Sequence, residues 1–202
     1  MDTRHVMILF NLLLLQPYNR VLEIGSHYGY STTAFLEALN VGFISEVHLC
    51  DIHFMDSVKH MYQNTKFVNR FFLHEERSVN FLMNAPFFDF VLLDGSHIAE
   101  DVEDEFEYLS MNGTNSYLLH DTYTQLLPES HDTPWYDGPM FLMEKMQCSP
   151  DWFCLEDHLY RDGEQTERGI CFATKNKKMY ERATLIFEFW TRANIRNEFP
   201  YI

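Results

Sequence analysis

Short apolar runs such as VLEI, VHLCDI and FVLLD alternate along the chain with segments whose apolar positions return every three or four residues. The runs predict strands at Arg20–Gly25, Glu46–Asp51, Phe71–His74, Phe88–Asp94 and Ser116–His120. Between them the spacing predicts helices at Ser31–Asn40, Met55–Asn64, Ser78–Met83 and Ile98–Ser110. Strand and helix in turn imply a parallel sheet with helices on both faces. Strands that are apolar along nearly their whole length fit a sheet covered on both sides.

The rhythm changes in the last third. Leu126–Gly138 reads as a polar, proline-containing loop, and Pro139–Met146 as a short helix. Trp152–Glu156 and Gly169–Lys175 read as strands, and their charged connection, HLYRDGEQTER, carries no helical pattern. Two strands joined without a crossover helix pair antiparallel, here at the sheet edge. Lys178–Arg192 predicts a terminal helix. No repeat, low-complexity tract or linker interrupts the chain, so a single domain is expected over residues 1–202. Within it lie an N-terminal helix (1–18), the core sheet and helices (19–175) and a C-terminal helix (176–202). The fold class is α/β, a doubly wound, mostly parallel sheet with an antiparallel C-terminal edge hairpin.

Composition narrows the partners. The apolar stretch from His5 to Gln16 ends at Pro17, short of the roughly 20 residues of a spanning helix. It has no separate basic region before it and no small-residue cleavage site after it, so it predicts a core helix and no membrane partner. Lys and Arg number 15 against 30 Asp and Glu, a formal charge of −15. Such a surface repels phosphate backbones, and nucleic acid is not an expected partner. Cys50, Cys148, Cys154 and Cys171 are dispersed with no C-x-x-C pairing, which fits reduced thiols in a cytoplasmic protein.

The first strand leads into Gly25-Ser-His-Tyr-Gly29, and Ser31, Thr32 and Thr33 follow at a helix start, where their hydroxyls suit N-capping. In an open parallel sheet, ligands bind at the carboxyl ends of the strands, and this loop is the prime candidate. The dinucleotide fingerprint is G-x-G-x-x-G, whereas this loop is G-x-x-x-G with Glu23 two residues before it. A carboxylate there would oppose a pyrophosphate and suit a ligand bearing an amino group. Asp51 ends the second strand, where an acid can take both ribose hydroxyls. A nucleoside carrying an amino acid meets both demands, and S-adenosylmethionine is such a molecule.

E-x-G-x-x-x-G after strand one, an acid ending strand two and D-G-S-H after strand four resemble class I S-adenosylmethionine-dependent methyltransferases over about Arg20 to Lys175. The resemblance implies a Rossmann-like fold with S-adenosylmethionine as cofactor. Glu23, Gly25, Ser26 and Gly29 would then frame its methionine end, Asp51 its ribose and Ser78 its adenine. HEERSVNF lacks the glycine that usually precedes that last position.

Strand four ends FVLLDGSH and strand five YLLHDT. If the two strands are adjacent and parallel, Asp94, His120 and Asp121 converge, a set suited to a divalent cation. This resembles the metal-dependent branch of small-molecule and sugar O-methyltransferases. The branch implies Asp94 and Asp121 as metal ligands and, with His120 in place of the usual carboxylate, a cation such as magnesium, manganese or a softer metal. His97 falls where a basic residue takes the substrate proton, so Asp94 and His97 are the expected catalytic residues. The expected substrate is a small molecule or glycan, with room for a homodimer that completes the pocket. His27, Tyr28, Trp135 and Tyr136 are candidate pocket walls. AEDVEDEFEYL reads as an amphipathic helix with a solvated acidic face and Val102, Phe106 and Leu109 turned inward. Two alternatives remain in view: an inactive cofactor-binding interaction protein, and a metal-dependent hydrolase using Asp94, His97, His120 and Asp121.

Overall fold

The structure is a computed structural model, and it describes residue 1 and residues 3–122, 138–159 and 168–192. Seven strands form one sheet in the order β3-β2-β1-β4-β5-β7-β6. They are β1 (Tyr18–Ile24), β2 (Ile44–Asp51), β3 (Phe71–Glu75), β4 (Phe90–Leu93), β5 (Ser116–His120), β6 (Phe153–Leu159) and β7 (Arg168–Thr174). The first five are parallel. The strand β7 runs antiparallel between β5 and β6, with His120 opposite Ile170 and Glu156 opposite Cys171. The mostly parallel sheet and its antiparallel edge thus follow the sequence expectation.

Helices cover both faces. On one lie α1 (Thr3–Leu13), α2 (Tyr30–Asn40), α3 (Asp56–Asn64) and α7 (Lys177–Arg192), packed through residues such as Ile8, Phe35, Val58 and Phe187. On the other lie α4 (Ser78–Leu82), α5 (Ala99–Met111) and α6 (Gly138–Gln147), packed through Leu82, Val102 and Leu142. Strand alternation feeds the two layers. Val21, Phe90 and Leu118 face the first, while Leu22, Val91 and Tyr117 face the second. The apolar N-terminal stretch is a core helix, with Ile8, Leu9, Leu12 and Leu13 fully buried. Among the described residues no helix is long and apolar enough to cross a membrane.

Strand order reverses between β1 and β4, because β2 and β3 extend to one side of β1 and β4 and β5 to the other. A crevice at the carboxyl ends opens at such a reversal. Gly25 and Gly95 close it at its base. Gly25 has φ +82, and a Cβ there would overlap the Asp94 carbonyl; a Cβ on Gly95 would come within 2.9 Å of Ile24. Only glycine lets the two loops touch.

Candidate functional site

A cavity of about 1030 Å³ occupies this crevice. From the β1 and β2 ends it is lined by Gly25, His27, Asp51, Ile52 and His53, and from the β3 end by Glu76, Arg77 and Ser78. The β4 and β5 ends add Asp94, Ser96, His97, Ile98 and Asp121, and α5 adds Asp101 and Glu105. Met1, beside α1, also reaches the wall.

Asp51 organises the glycine loop. Its Oδ2 accepts from the amides of Ser26 (2.8 Å) and His27 (3.2 Å), and its Oδ1 from the amide of His53 (3.2 Å). His27 has φ 43, a left-handed conformation uncommon for a residue with a side chain. These two amide bonds to Asp51 hold the turn in place. Gly29, at φ +83, ends the loop against Val58 and Met61 of α3.

Glu23 leads away from the cavity. It shares strand parity with Val21, so its side chain enters the α2 layer, where it is fully buried. Ser31 donates to one carboxylate oxygen and Thr32 to the other (2.7 Å). Burial pushes its pKa up to about 8, the two hydroxyl bonds oppose that rise, and Asp94 and Asp51 add to it. The hydroxyls of Ser31 and Thr32 therefore do not cap the helix. Gly29 is the N-cap, without a side-chain cap bond, and Thr33 Oγ1 donates to the Tyr30 carbonyl (2.6 Å). A buried carboxylate demands donors more strongly than helix amides within reach of water.

Acids and imidazoles gather at the β4 and β5 ends. Asp94, His97 and Asp121 each offer a ligand atom, all within 4.8 Å of one another. His97 Nε2 is 3.4 Å from Asp121 Oδ2. His120 comes to the same carboxylates from the buried side, its Nδ1 2.9 Å from Asp94 Oδ1 and 3.2 Å from Asp121 Oδ1. Burial pulls the His120 pKa down, but the contacts with Asp94 and Asp121 together outweigh it and push it up to about 9. The His120 ring stands edge-on to His5 of α1 with centroids 5.5 Å apart. Asp121 is in the left-handed region at φ 54, and such backbone strain concentrates at functional sites.

Seven of the sequence-derived candidates therefore line one cavity: Gly25, His27, Asp51, Ser78, Asp94, His97 and Asp121. Glu23, Ser26, Gly29 and His120 stand behind that wall and act on it through hydrogen bonds, packing or charge. Tyr28 is half exposed; Trp135 and Tyr136 lie outside the described residues. Sequence reasoning missed Glu105. It is 1% exposed, although it belongs to an acidic run expected to face water. The signal was its place on the apolar stripe, three residues after Val102 and four before Leu109.

The fold and the crevice define an α/β protein with a ligand-sized cavity at its strand-order reversal, the place where such sheets bind nucleotides. The chain belongs to the methyltransferase domain family, whose model matches residues 22–139, and it is an S-adenosylmethionine-dependent methyltransferase. Among solved structures, it is similar to the O-methyltransferase TomG from Streptomyces achromogenes, with 17% identity and a TM-score of 0.66 over 86% of this chain and 80% of that one. It is also similar to an O-methyltransferase from Bacillus cereus, with 16% identity and a TM-score of 0.67 over 86% and 81% of the respective chains. No curated protein matches the sequence significantly.

Proposed function

We propose that this methyltransferase acts on a hydroxyl oxygen of a small molecule or glycan, with His97 as the base that takes the hydroxyl proton. The observation that carries this reading is the pairing of His97 with Asp121 beside Asp94, on the cavity wall formed by the β4 and β5 ends. Both solved neighbours bear the name O-methyltransferase, one in complex with S-adenosylmethionine and the other with S-adenosylhomocysteine.

The residues present fit the cofactor. Asp51 Oδ2 accepts from the amide and hydroxyl of Ser26 and the amide of His27, whereas Oδ1 accepts from the His53 amide; an oxygen with two lone-pair positions keeps capacity there for a ribose hydroxyl. Gly25 and Gly95 keep the crevice floor free of side chains. Ser26 and Gly29 shape the loop, and Glu23 anchors the start of α2 behind it. S-adenosylmethionine supplies a methyl carbon made electrophilic by its sulfonium. The protein's contribution is to fix an acceptor oxygen in line with that carbon and to remove its proton.

His97 is suited to the second task because a neutral imidazole carries an unprotonated ring nitrogen that can accept a proton. Asp121 stabilises the imidazolium that forms, and Asp94 and Ser96 complete the acceptor's surroundings. Two carboxylates and an imidazole within 4.8 Å also fit a divalent cation. Asp94 and Asp121 would hold it, and His120, in contact with both, would keep them in place. A cation there supplies Lewis acidity that lowers a hydroxyl's pKa. The four free cysteines and the acidic surface support a cytoplasmic enzyme with a substrate that is not nucleic acid.

The test begins with calorimetric titration of S-adenosylhomocysteine into the wild type and Asp51→Ala. Methyl transfer to a panel of phenols, catechols and sugars follows, with and without added magnesium or manganese. Asp51→Ala should weaken binding about tenfold or more. His97→Ala should retain that binding and lose about 10²- to 10⁴-fold in turnover. Loss of cofactor binding in His97→Ala would remove the base assignment. Tight binding with no transfer to any acceptor would instead favour an inactive cofactor-binding protein.

A further inference from the structure

The two faces of α7 are used differently. Met179, Ala183 and Phe187 are buried and seat the helix on the sheet. Turned away from them, Lys178, Arg182, Leu185, Phe189 and Arg192 recur at intervals of four, three, four and three residues, and all of them are exposed. That spacing is the seam along which one helix packs against another. At its centre Leu185 is 69% and Phe189 62% exposed, with the Phe189 ring edge-on to Trp190. Together with Glu188 and Arg192 they border a surface hollow of about 380 Å³. A contiguous apolar pair rimmed by charges marks an interaction surface.

The charges around that pair say what fits it. The helix carries four basic and two acidic residues in a chain of formal charge −15, so this face escapes the repulsion that the rest of the surface imposes on a second copy. Glu181, Glu188 and Arg192 line one flank of the seam, where Arg192 Nη2 lies 3.4 Å from Glu188. A second copy of α7 laid parallel would set Lys178, Arg182 and Arg192 each against itself, which like charges oppose. Laid antiparallel about a two-fold axis near Phe187, it sets Leu185 of each copy against Phe189 of the other. Like flanks meet in such a pair, so Arg192 of each copy comes beside Glu181 of the other. Arg182 falls on the opposite flank. The face is complementary to itself in one direction only.

We propose that the outer face of α7 is a homodimer interface, closed by antiparallel pairing of Leu185 and Phe189 with the same residues of a second copy. Among the described residues of α7 none lines the cavity, so each copy keeps its own site whole and the interface stands apart from the reaction assigned to it.

Sedimentation equilibrium of the full chain from about 1 to about 200 µM tests this, with circular dichroism to establish that each variant is folded. The wild type should form a reversible dimer with a micromolar Kd. Phe189→Glu and Leu185→Glu should each weaken it about 100-fold or more, and Arg192→Glu about tenfold. Glu181→Arg added to Arg192→Glu should restore the dimer, because the pair is then the same with its signs exchanged. A monomeric wild type over that range overturns the proposal; if a dimer then appears once residues 193–202 are removed, the chain's own C-terminal segment is the occupant. A dimer that Phe189→Glu and Leu185→Glu leave intact is formed by another face, which overturns it too. Failure of the folded double variant to recover association overturns the antiparallel pairing. Should the glutamate variants fail to fold, Leu185→Ala and Phe189→Ala decide, each with an expected loss of about tenfold.

Discussion

Glu23 and Glu105 are both buried acids joined to serine hydroxyls, and they serve opposite purposes. Glu23 lies on the α2 side of the sheet, and each of its oxygens takes a hydroxyl proton, from Ser31 and Thr32. Glu105 lies on the α5 side, takes one, from Ser78, and borders the cavity. The first is a closed unit that fixes the start of α2 to the end of β1, and so fixes the glycine loop between them. The second is an open unit whose remaining capacity faces a ligand. The number of donors around a buried carboxylate, more than its depth, separates a group that serves the fold from one that serves binding.

Removal of the two side chains gives the widest separation. Glu23→Ala leaves two buried hydroxyls without their acceptor and opens a void, a loss of about 3 kcal/mol or more. Glu105→Ala removes a poorly solvated carboxylate along with its bond from Ser78, and the two changes offset to within about 1 kcal/mol. Urea unfolding of both variants near neutral pH measures this directly. Equal losses would abolish the distinction.

Much of the fold could be read from the chain, because period-two and period-3.6 apolar patterns report burial directly. The five parallel strands, the edge pair and the terminal helix all lie within a few residues of their expected places. The glycine loop, Asp51, Asp94, His97 and Asp121 were legible for a related reason: the end of a strand determines where its next residue emerges. The destination of Glu23 was not. Parity places it on the same face as Val21, but only the packed sheet shows that this face carries α2, which turns the acid from the loop's ligand side to its support. His120 shares parity with Leu118 and meets α1 and His5 in the same way. Glu105 was hidden by composition, since AEDVEDEFEYL invites a solvated reading even though one of its acids falls on the apolar stripe.

pH sharpens the contrast at the next level of effect. Each acid has a folded-state pKa above its ordinary value of 4.5, Glu23 at about 8 and Glu105 at about 7. The folded state therefore holds more protons than the unfolded chain between those limits, and stability falls as pH rises through them. Each full unit of the window costs about 1.4 kcal/mol, so Glu23 should lose about 2 to 3 kcal/mol between about pH 5 and about pH 7. Glu23→Gln, whose amide still accepts from one hydroxyl and can donate to the other, should remove that slope. Saturation with S-adenosylhomocysteine should leave the Glu23 slope intact and flatten the Glu105 contribution, because ligand N–H groups favour the charged form. Stability measured against pH, with and without ligand, separates the two. A ligand that flattens the Glu23 slope as well would show that this acid also faces the cavity.

The smallest effect lies in the serines. Ser31→Ala deprives the Glu23 carboxyl of one of two donors inside the core, a loss of about 1 to 2 kcal/mol. Ser78→Ala deprives Glu105 of its only protein donor among the described residues, yet Glu105 borders the cavity, where water can replace the hydroxyl, and the expected loss is about 0.5 kcal/mol. Thermal unfolding of the two variants, each against the wild type, reads the difference, and ligand reverses its direction of interest. S-adenosylhomocysteine should raise the melting temperature of Ser31→Ala by as much as it raises that of the wild type, and that of Ser78→Ala by less. Equal ligand shifts in both variants would mean that Ser78 supports α4 and α5 alone, and the closed and open units would then differ in burial and not in purpose.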